Sequence, residues 1–493
     1  MQTRSRRAPS LPVALILVLC LAGCMQREAY RTQEAMPAEP CVAQPVTIVA
    51  ASCRAAITES TGAYDLHFVE FDDQGWTYPK GISVNGAEPV DKSSEQLRLV
   101  MERLNDTLKA NQVRIFVFFH GWKHNASFDD PNVISFRDFL NEAALYEKAA
   151  HSNNRVVGIY VGWRGKSLDI DDPWLSATFW ERKTAAQHVA VGSVRELTAQ
   201  LRAFQRHANG TQPGAVQKYS KPTAQPVRIY MIGHSFGGLA LYASVAQSLV
   251  YGFISGEDID GRRAPVERLG DMIVLINPAF EATRYEPLDR VARNRRDYDH
   301  YQSPVFVAIT SKTDAATKTL FPLGRAINSA FETELTAEER LANRNTPGNI
   351  DSYLTHQLDT ANSDPIECFG WTAKPNTPDE VATNIRVEFN NSQVFRTGLV
   401  AGLWPRDADG KPRPRNFCGG MVLSPLGGPD TPYRNPNPNM PLWNITTVDS
   451  IIKGHNGINE PAFRSFLRQL FLDEYLDADV RPAARSAAPQ LPR

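Results

Sequence analysis

The chain has 493 residues, 42% of them hydrophobic, enough to fill a large core in one domain with insertions or in two domains. Its 53 basic and 54 acidic residues leave a formal net charge of -1, which gives no electrostatic case for nucleic acid or for an acidic surface partner. Neither is expected.

Arg4, Arg6 and Arg7 precede a short apolar run, LPVALILVLCLAG, that ends at Cys24. This is the layout of a secretory signal peptide over 1–23, and its apolar part is too short to span a bilayer comfortably. The residues LAGC resemble the lipobox of bacterial lipoproteins. That resemblance implies cleavage before Cys24 and acylation of Cys24, which anchors the chain to a membrane. Met25 follows in place of Asp, which by the same resemblance favours the outer membrane of the bacterial cell envelope. Of six cysteines, Cys20 leaves with the signal and Cys24 takes lipid. Cys41, Cys53, Cys368 and Cys418 remain, an even set in an oxidising compartment that points to disulfides. Nearness in sequence favours Cys41 with Cys53 and Cys368 with Cys418. No Cys-x-x-Cys spacing supports a zinc site.

Residues 24–60 are polar and irregular and read as a lipidated tether. Beyond them DLHFVEF (65–71) alternates like a half-buried strand. VRIFVFF (113–119), RVVGIYVGW (155–163), VRIYMIG (227–233), DMIVLIN (271–277) and PVFVAIT (304–310) are nearly continuous apolar runs, the pattern of strands buried on both faces. Helical periodicity lies between them, over 93–111 and about 133–150, 183–208 and 237–252. Alternation of this kind predicts an α/β architecture, a mostly parallel sheet flanked by helices, over 61–319. Residues 320–442 break the rhythm, with nine prolines from Pro405 to Pro441, and read as an inserted, loop-rich unit or cap. WNITTV (443–448) and a helix with Phe463, Phe466, Leu467, Leu470 and Phe471 on one face complete the core over 443–480. The Ala- and Pro-rich 481–493 is expected to be a disordered tail.

The stretch IYMIGHSFGG (229–238) carries the chemistry. Gly233-His234-Ser235-Phe236-Gly237 has the Gly-x-Ser-x-Gly spacing of a nucleophile elbow, in which a turn too tight for side chains lifts a serine hydroxyl above the end of a strand. With its flanking strand and helix, the chain resembles the α/β-hydrolase fold family, particularly its lipases and esterases. The resemblance covers roughly 63–315 and 443–476. It implies that VRIFVFF running into His120-Gly121-Trp122 is the oxyanion-hole strand, with the N–H groups of Trp122 and Phe236 as donors. It also implies the order Ser, acid, His along the chain. Asp314, just past PVFVAIT, is the expected acid, and Glu281, one strand earlier, is the alternative. His455 in IIKGHNGINE is the expected base. His300 precedes the acid and His356 lies in the insertion, so both read as structural histidines.

His120 and His124 follow a strand and lack the His-Glu-x-x-His helix, so no metal and no cofactor are expected. The expected activity is serine hydrolysis of carboxylic esters. An acyltransferase or amidase with the same triad, or a non-catalytic envelope-binding lipoprotein, are the alternatives. The insertion reads equally as a lid or as a docking surface for a protein partner, and the aromatic set Trp163, Trp174, Phe179 and Trp180 as pocket lining or as packing.

Overall fold

A computed structural model describes residues 29–33, 51–78, 94–149, 152, 154–165, 175–210, 226–255, 266–295, 298, 302–328, 332–375, 377–400, 413–426 and 439–487. The strands are β1 Thr58–Ser60, β2 Tyr64–Phe71, β3 Gln112–Phe119, β4 Asn154–Trp163, β5 Val227–His234, β6 Met272–Ile276, β7 Phe306–Ser311, β8 His356–Thr360, β9 Arg415–Phe417, β10 Met421–Pro425 and β11 Leu442–Thr447. They form one 11-stranded sheet in the order β1-β2-β4-β3-β5-β6-β7-β11-β8-β10-β9. Pairing is parallel from β2 across to β8 and antiparallel only at the two edges, where β1 meets β2 and β10 meets β8 and β9. The architecture is therefore α/β with a mixed, mostly parallel sheet.

The apolar runs follow from cover on both faces. Along β3, Val113, Ile115, Val117 and Phe119 join one core with the helices Glu95–Ala110, Val194–Ala208 and Phe236–Ser255. Phe116 and Phe118 point the other way, into a core with Phe136 and Leu140 of the helix Pro131–Ala149 and with Phe463, Phe466 and Leu470 of the helix Pro461–Ala487. At the amino end of the sheet, buried Glu474 of that last helix pairs with Arg228 at 3.0 Å and Arg268 at 2.8 Å and accepts the Tyr230 hydroxyl at 2.8 Å.

Several expectations change in detail. β2 is buried almost throughout, and its polar residues are inside with partners rather than exposed. His67 shares a hydrogen bond with Thr58 at 3.0 Å, and Glu70 accepts the Tyr30 and Arg31 N–H groups. β1 pairs along the edge of β2, and residues 29–33 add to the cover given by the helices Glu95–Ala110 and Pro131–Ala149, so parts of the tether region are built into the body. The helix expected over 183–208 is two helices, Leu175–Val191 and Val194–Ala208. It breaks where the Ser193 N–H donates to the Gly75 carbonyl at 2.8 Å instead of continuing the ladder. The unit 320–442 gives β8, β9 and β10 to the sheet edge and a helix, Pro378–Val400, that packs on the last helix. A disulfide joins Cys368 to Cys418. Cys53 is also disulfide-bonded, while Cys41, like Cys24 and residues 1–23, lies outside the described residues. The last helix runs to Ala487, past the expected start of the tail.

Candidate active site

All of β5 is buried, and the chain leaves its carboxyl end through Ser235 at φ +56, a left-handed conformation that costs a residue with a side chain about 1 kcal/mol. Crowding enforces the turn. A β-carbon on Gly233 would lie 2.8 Å from Gly238 Cα, and one on Gly237 would overlap the Phe119 carbonyl. The helix begins at Phe236, so the N–H groups of its first turn have no acceptor within the helix and face the space above Ser235.

The loop after β3 comes to the same place. A β-carbon on Gly121 would lie 3.0 Å from Ser235 Cβ, so only a glycine lets that backbone approach the serine. His120 fixes the loop from below. Its Nδ1–H donates to the Gly121 carbonyl at 2.9 Å, its Nε2 accepts the Trp163 N–H at 3.0 Å, and its ring stacks on Trp163 at 5.4 Å. Burial lowers its pKa to about 4, so it is neutral, and with both ring nitrogens used it has none to offer a metal. Among the described residues neither the Trp122 nor the Phe236 N–H has a backbone acceptor.

His455 lies in the loop between β11 and the last helix. Its Nε2 is 2.8 Å from Ser235 Oγ and its Nδ1 is 2.8 Å from Asp314 Oδ2. Asp314 is fully buried and also accepts the Thr317 hydroxyl at 2.7 Å and the Ala316 and Thr317 N–H groups at 2.9 and 3.2 Å. Burial opposes its ionisation, but the hydrogen bonds from His455 and Thr317 outweigh that and hold the carboxyl below its usual range. A carboxylate at Nδ1 fixes the imidazole tautomer that presents a bare Nε2 to the hydroxyl, the arrangement needed to take a proton from a serine.

Glu281 is elsewhere. It forms an ion pair with Lys183 and others with Arg284 at 3.0 Å and Arg325 at 3.3 Å, so the carboxylate on His455 is Asp314. His356 is buried and bonded to the Thr355 hydroxyl, and His300 lies outside the described residues. Phe179 packs on both Trp122 and Phe236, at ring distances of 5.3 and 4.7 Å, and on Trp180 at 5.2 Å, making an aromatic wall beside the serine. Phe321, at the start of the inserted unit, packs on Trp180 at 5.9 Å. Trp163 serves the His120 stack, and Trp174 is outside the described residues.

Sequence reasoning missed the groups that hold His455. Its backbone carbonyl accepts from His234 Nε2 at 2.9 Å and from Asn277 Nδ2 at 2.8 Å. Asn277, buried and at φ +45, also donates to the Gly454 carbonyl at 3.1 Å and accepts the Ser311 N–H at 2.9 Å. One side chain thereby links the ends of β6 and β7 to the histidine loop. His234 can make this bond only by donating from Nε2; burial first, and then His455, lowers its pKa to about 3, which leaves the ring neutral. The signal present in the sequence was Asn277-Pro278 directly after a buried strand, a turn pair.

No family model matches the chain, and no curated protein matches it. Among solved structures, an uncharacterized protein from Pseudomonas aeruginosa aligns at a TM-score of 0.18 and 11% identity. The alignment spans 44% of this chain and 38% of that one, and a likeness that slight carries no argument about either protein.

Proposed function

We propose that this is a serine hydrolase of the α/β-hydrolase type, anchored to the bacterial outer membrane through lipid on Cys24, that cleaves carboxylic esters through an acyl-enzyme. The observation that carries the reading is the relay Asp314–His455–Ser235, each contact 2.8 Å, with the carboxylate buried and the serine at a strand-to-helix turn. Support for the fold assignment is the placement of serine, acid and histidine after β5, β7 and β11, in that chain order.

In this reading Ser235 Oγ bonds to the ester carbonyl carbon while its proton passes to His455 Nε2. The carbonyl oxygen takes the negative charge and is held by the N–H groups of Trp122 and Phe236, where preorganised donors act in a poorly solvated site. The imidazolium, stabilised by Asp314, returns the proton to the leaving alkoxide as the C–O bond breaks. Water then repeats the sequence on the acyl-serine and releases the carboxylic acid. An added alcohol or amine that competes with water would make the same site an acyltransferase; turnover of an amide would make it an amidase.

The test is intact-mass analysis of fluorophosphonate labelling on disulfide-intact protein lacking residues 1–24. One adduct on the wild type, none on Ser235→Ala and a greatly slowed one on His455→Ala are expected. No adduct on the folded wild type overturns the reading and favours a binding role. Anchoring is tested separately, since Cys24→Ser should move the full-length protein from the membrane to the soluble fraction.

A further inference from the structure

We propose that the anchor holds the carboxyl-end face of the sheet, with Ser235 in it, against the membrane, so that the esters reaching Ser235 are those presented at a membrane surface. The inference rests on acylation of Cys24 and on the hydrolase reading above. It comes from where the chain enters the fold. The Tyr30 and Arg31 N–H groups donate to Glu70 at 3.0 and 2.8 Å, and Gln96 donates to the Arg31 carbonyl at 2.7 Å. The Arg31 side chain is buried, donates to the Ala126 carbonyl at 2.8 Å, pairs with Glu59 at 2.9 Å and covers the Phe68 ring at 3.7 Å. Only residues 25–29 separate this fixed point from Cys24, a reach of roughly 20 Å at full extension.

Direction matters as much as length. Gln33 lies level with Ile57 and Phe68, through bonds from the Ile57 N–H to Gln33 and from the Phe68 N–H to Ile57, whereas Tyr30 and Arg31 meet Glu70, next to the carboxyl end of β2. Traced toward Cys24, the chain therefore heads for the carboxyl ends of the parallel strands, the end that carries Ser235. The Tyr30 hydroxyl also accepts from Asn125 at 3.2 Å, four residues along the loop from Gly121 and its close approach to Ser235. The anchor point and the nucleophile are held by one loop.

The surface at that end fits an interface. Trp76 is 66% exposed, Leu320 57%, Leu323 61%, Ile366 87% and Phe369 90%. They lie on the connections that leave the carboxyl ends of β2, β7 and β8, spread across the sheet. Exposed apolar and indole side chains of this kind partition to the headgroup boundary. The exposed Tyr251 and Ile254 are at the far end of the helix Phe236–Ser255 and would face water.

The test uses full-length acylated protein in phosphatidylethanolamine–phosphatidylglycerol vesicles bearing a rhodamine-labelled lipid. A donor dye is attached either at Asp129→Cys, exposed in the loop beside Arg31, or at Asn111→Cys, exposed at the amino end of β3. The two positions are a strand length apart, about 26 Å. Severalfold greater energy transfer from position 129 is expected; equal transfer, or more from 111, overturns the orientation whatever Ser235 does. Fluorophosphonate labelling on the same samples reports the hydrolase reading independently, because its absence removes catalysis and leaves the orientation measured. For the substrate class, a Gly/Ser spacer of about twenty residues between Arg27 and Glu28 lengthens the reach. It should slow hydrolysis of a vesicle-borne fluorogenic ester severalfold and leave a soluble p-nitrophenyl ester unaffected. Equal slowing of both, or of neither, overturns the membrane-substrate assignment.

Discussion

At the scale of single residues, the candidate site separates groups that meet the reacting atoms from groups that hold them. Asp314 fixes the His455 tautomer, and replacing it by asparagine keeps the shape while presenting the wrong hydrogen-bond partner. Asp314→Asn should lower kcat on a soluble ester about 10,000-fold with little change in Tm. A loss below tenfold would mean that the 2.8 Å contact is not the one used. His234 and Asn277 hold the His455 backbone carbonyl by hydrogen bonds, so in the proposed reaction they are positioning residues. Asn277→Ala frees the histidine loop and leaves two carbonyls short of a donor. The expected outcome is a fall in kcat of about 10 to 100-fold with KM nearly constant, since a misplacement of about 1 Å costs that much. Asn277→Asp should fail to restore it, because a carboxylate cannot donate to those carbonyls. The serine and its elbow were legible in the sequence because their chemistry is local. The partners of the His455 carbonyl were not, because they lie 221 and 178 residues away along the chain.

At the scale of elements, strands covered on both faces announced themselves as apolar runs, and β3 to β7 were readable for that reason. β8 reads HQLDT and carries polar residues because it lies near the sheet edge, so periodicity gave no sign of it. The edge unit is closed by the disulfide between Cys368 and Cys418, with a sequence separation of 50. Cross-linking a loop of that length restricts the unfolded chain by roughly 4 kcal/mol. The double variant Cys368→Ala, Cys418→Ala should lower the urea midpoint correspondingly, while the folded fraction still labels at Ser235, which is carried by β5 rather than by the edge. Loss of labelling from folded protein would instead tie the edge unit to the site. Gly237→Ala acts on the central elements, since its methyl group would overlap the Phe119 carbonyl. It should force β3 and the helix Phe236–Ser255 apart, and both Tm and labelling should fall together.

At the scale of the whole molecule, four histidines among the described residues are buried with lowered pKa values: His67 and His120 at about 4, His234 and His356 at about 3, burial being the first cause in each. The unfolded chain protonates them near 6.5. Between that value and their folded values the unfolded state binds more protons, so unfolding free energy falls as pH falls through that window and is indifferent to these groups above it. Buried Asp271 and Asp289, raised to about 6, act in the opposite sense below that pH, so the histidine contribution, on the order of 3 kcal/mol for each fully expressed shift, is read by urea denaturation as the difference between wild type and a histidine variant from pH 6.5 toward 4. His356→Gln should flatten part of the slope. A His356→Gln profile parallel to that of the wild type down to pH 4.5 would show that this ring does not stay buried and neutral in solution.

Taken alone, the sequence determined the alternation of strand and helix and the glycine-flanked serine turn at 233–237. Each of these is written in contiguous residues, through the apolar period or through glycines at fixed spacing. Tertiary structure decided which carboxylate reaches the histidine, Asp314 rather than Glu281, and what holds His455 in place. It also decided that Arg31 pins the start of the chain beside the loop that borders Ser235. Those choices depend on distances between segments remote in sequence, and the fold sets those distances by bringing the carboxyl ends of parallel strands to one face.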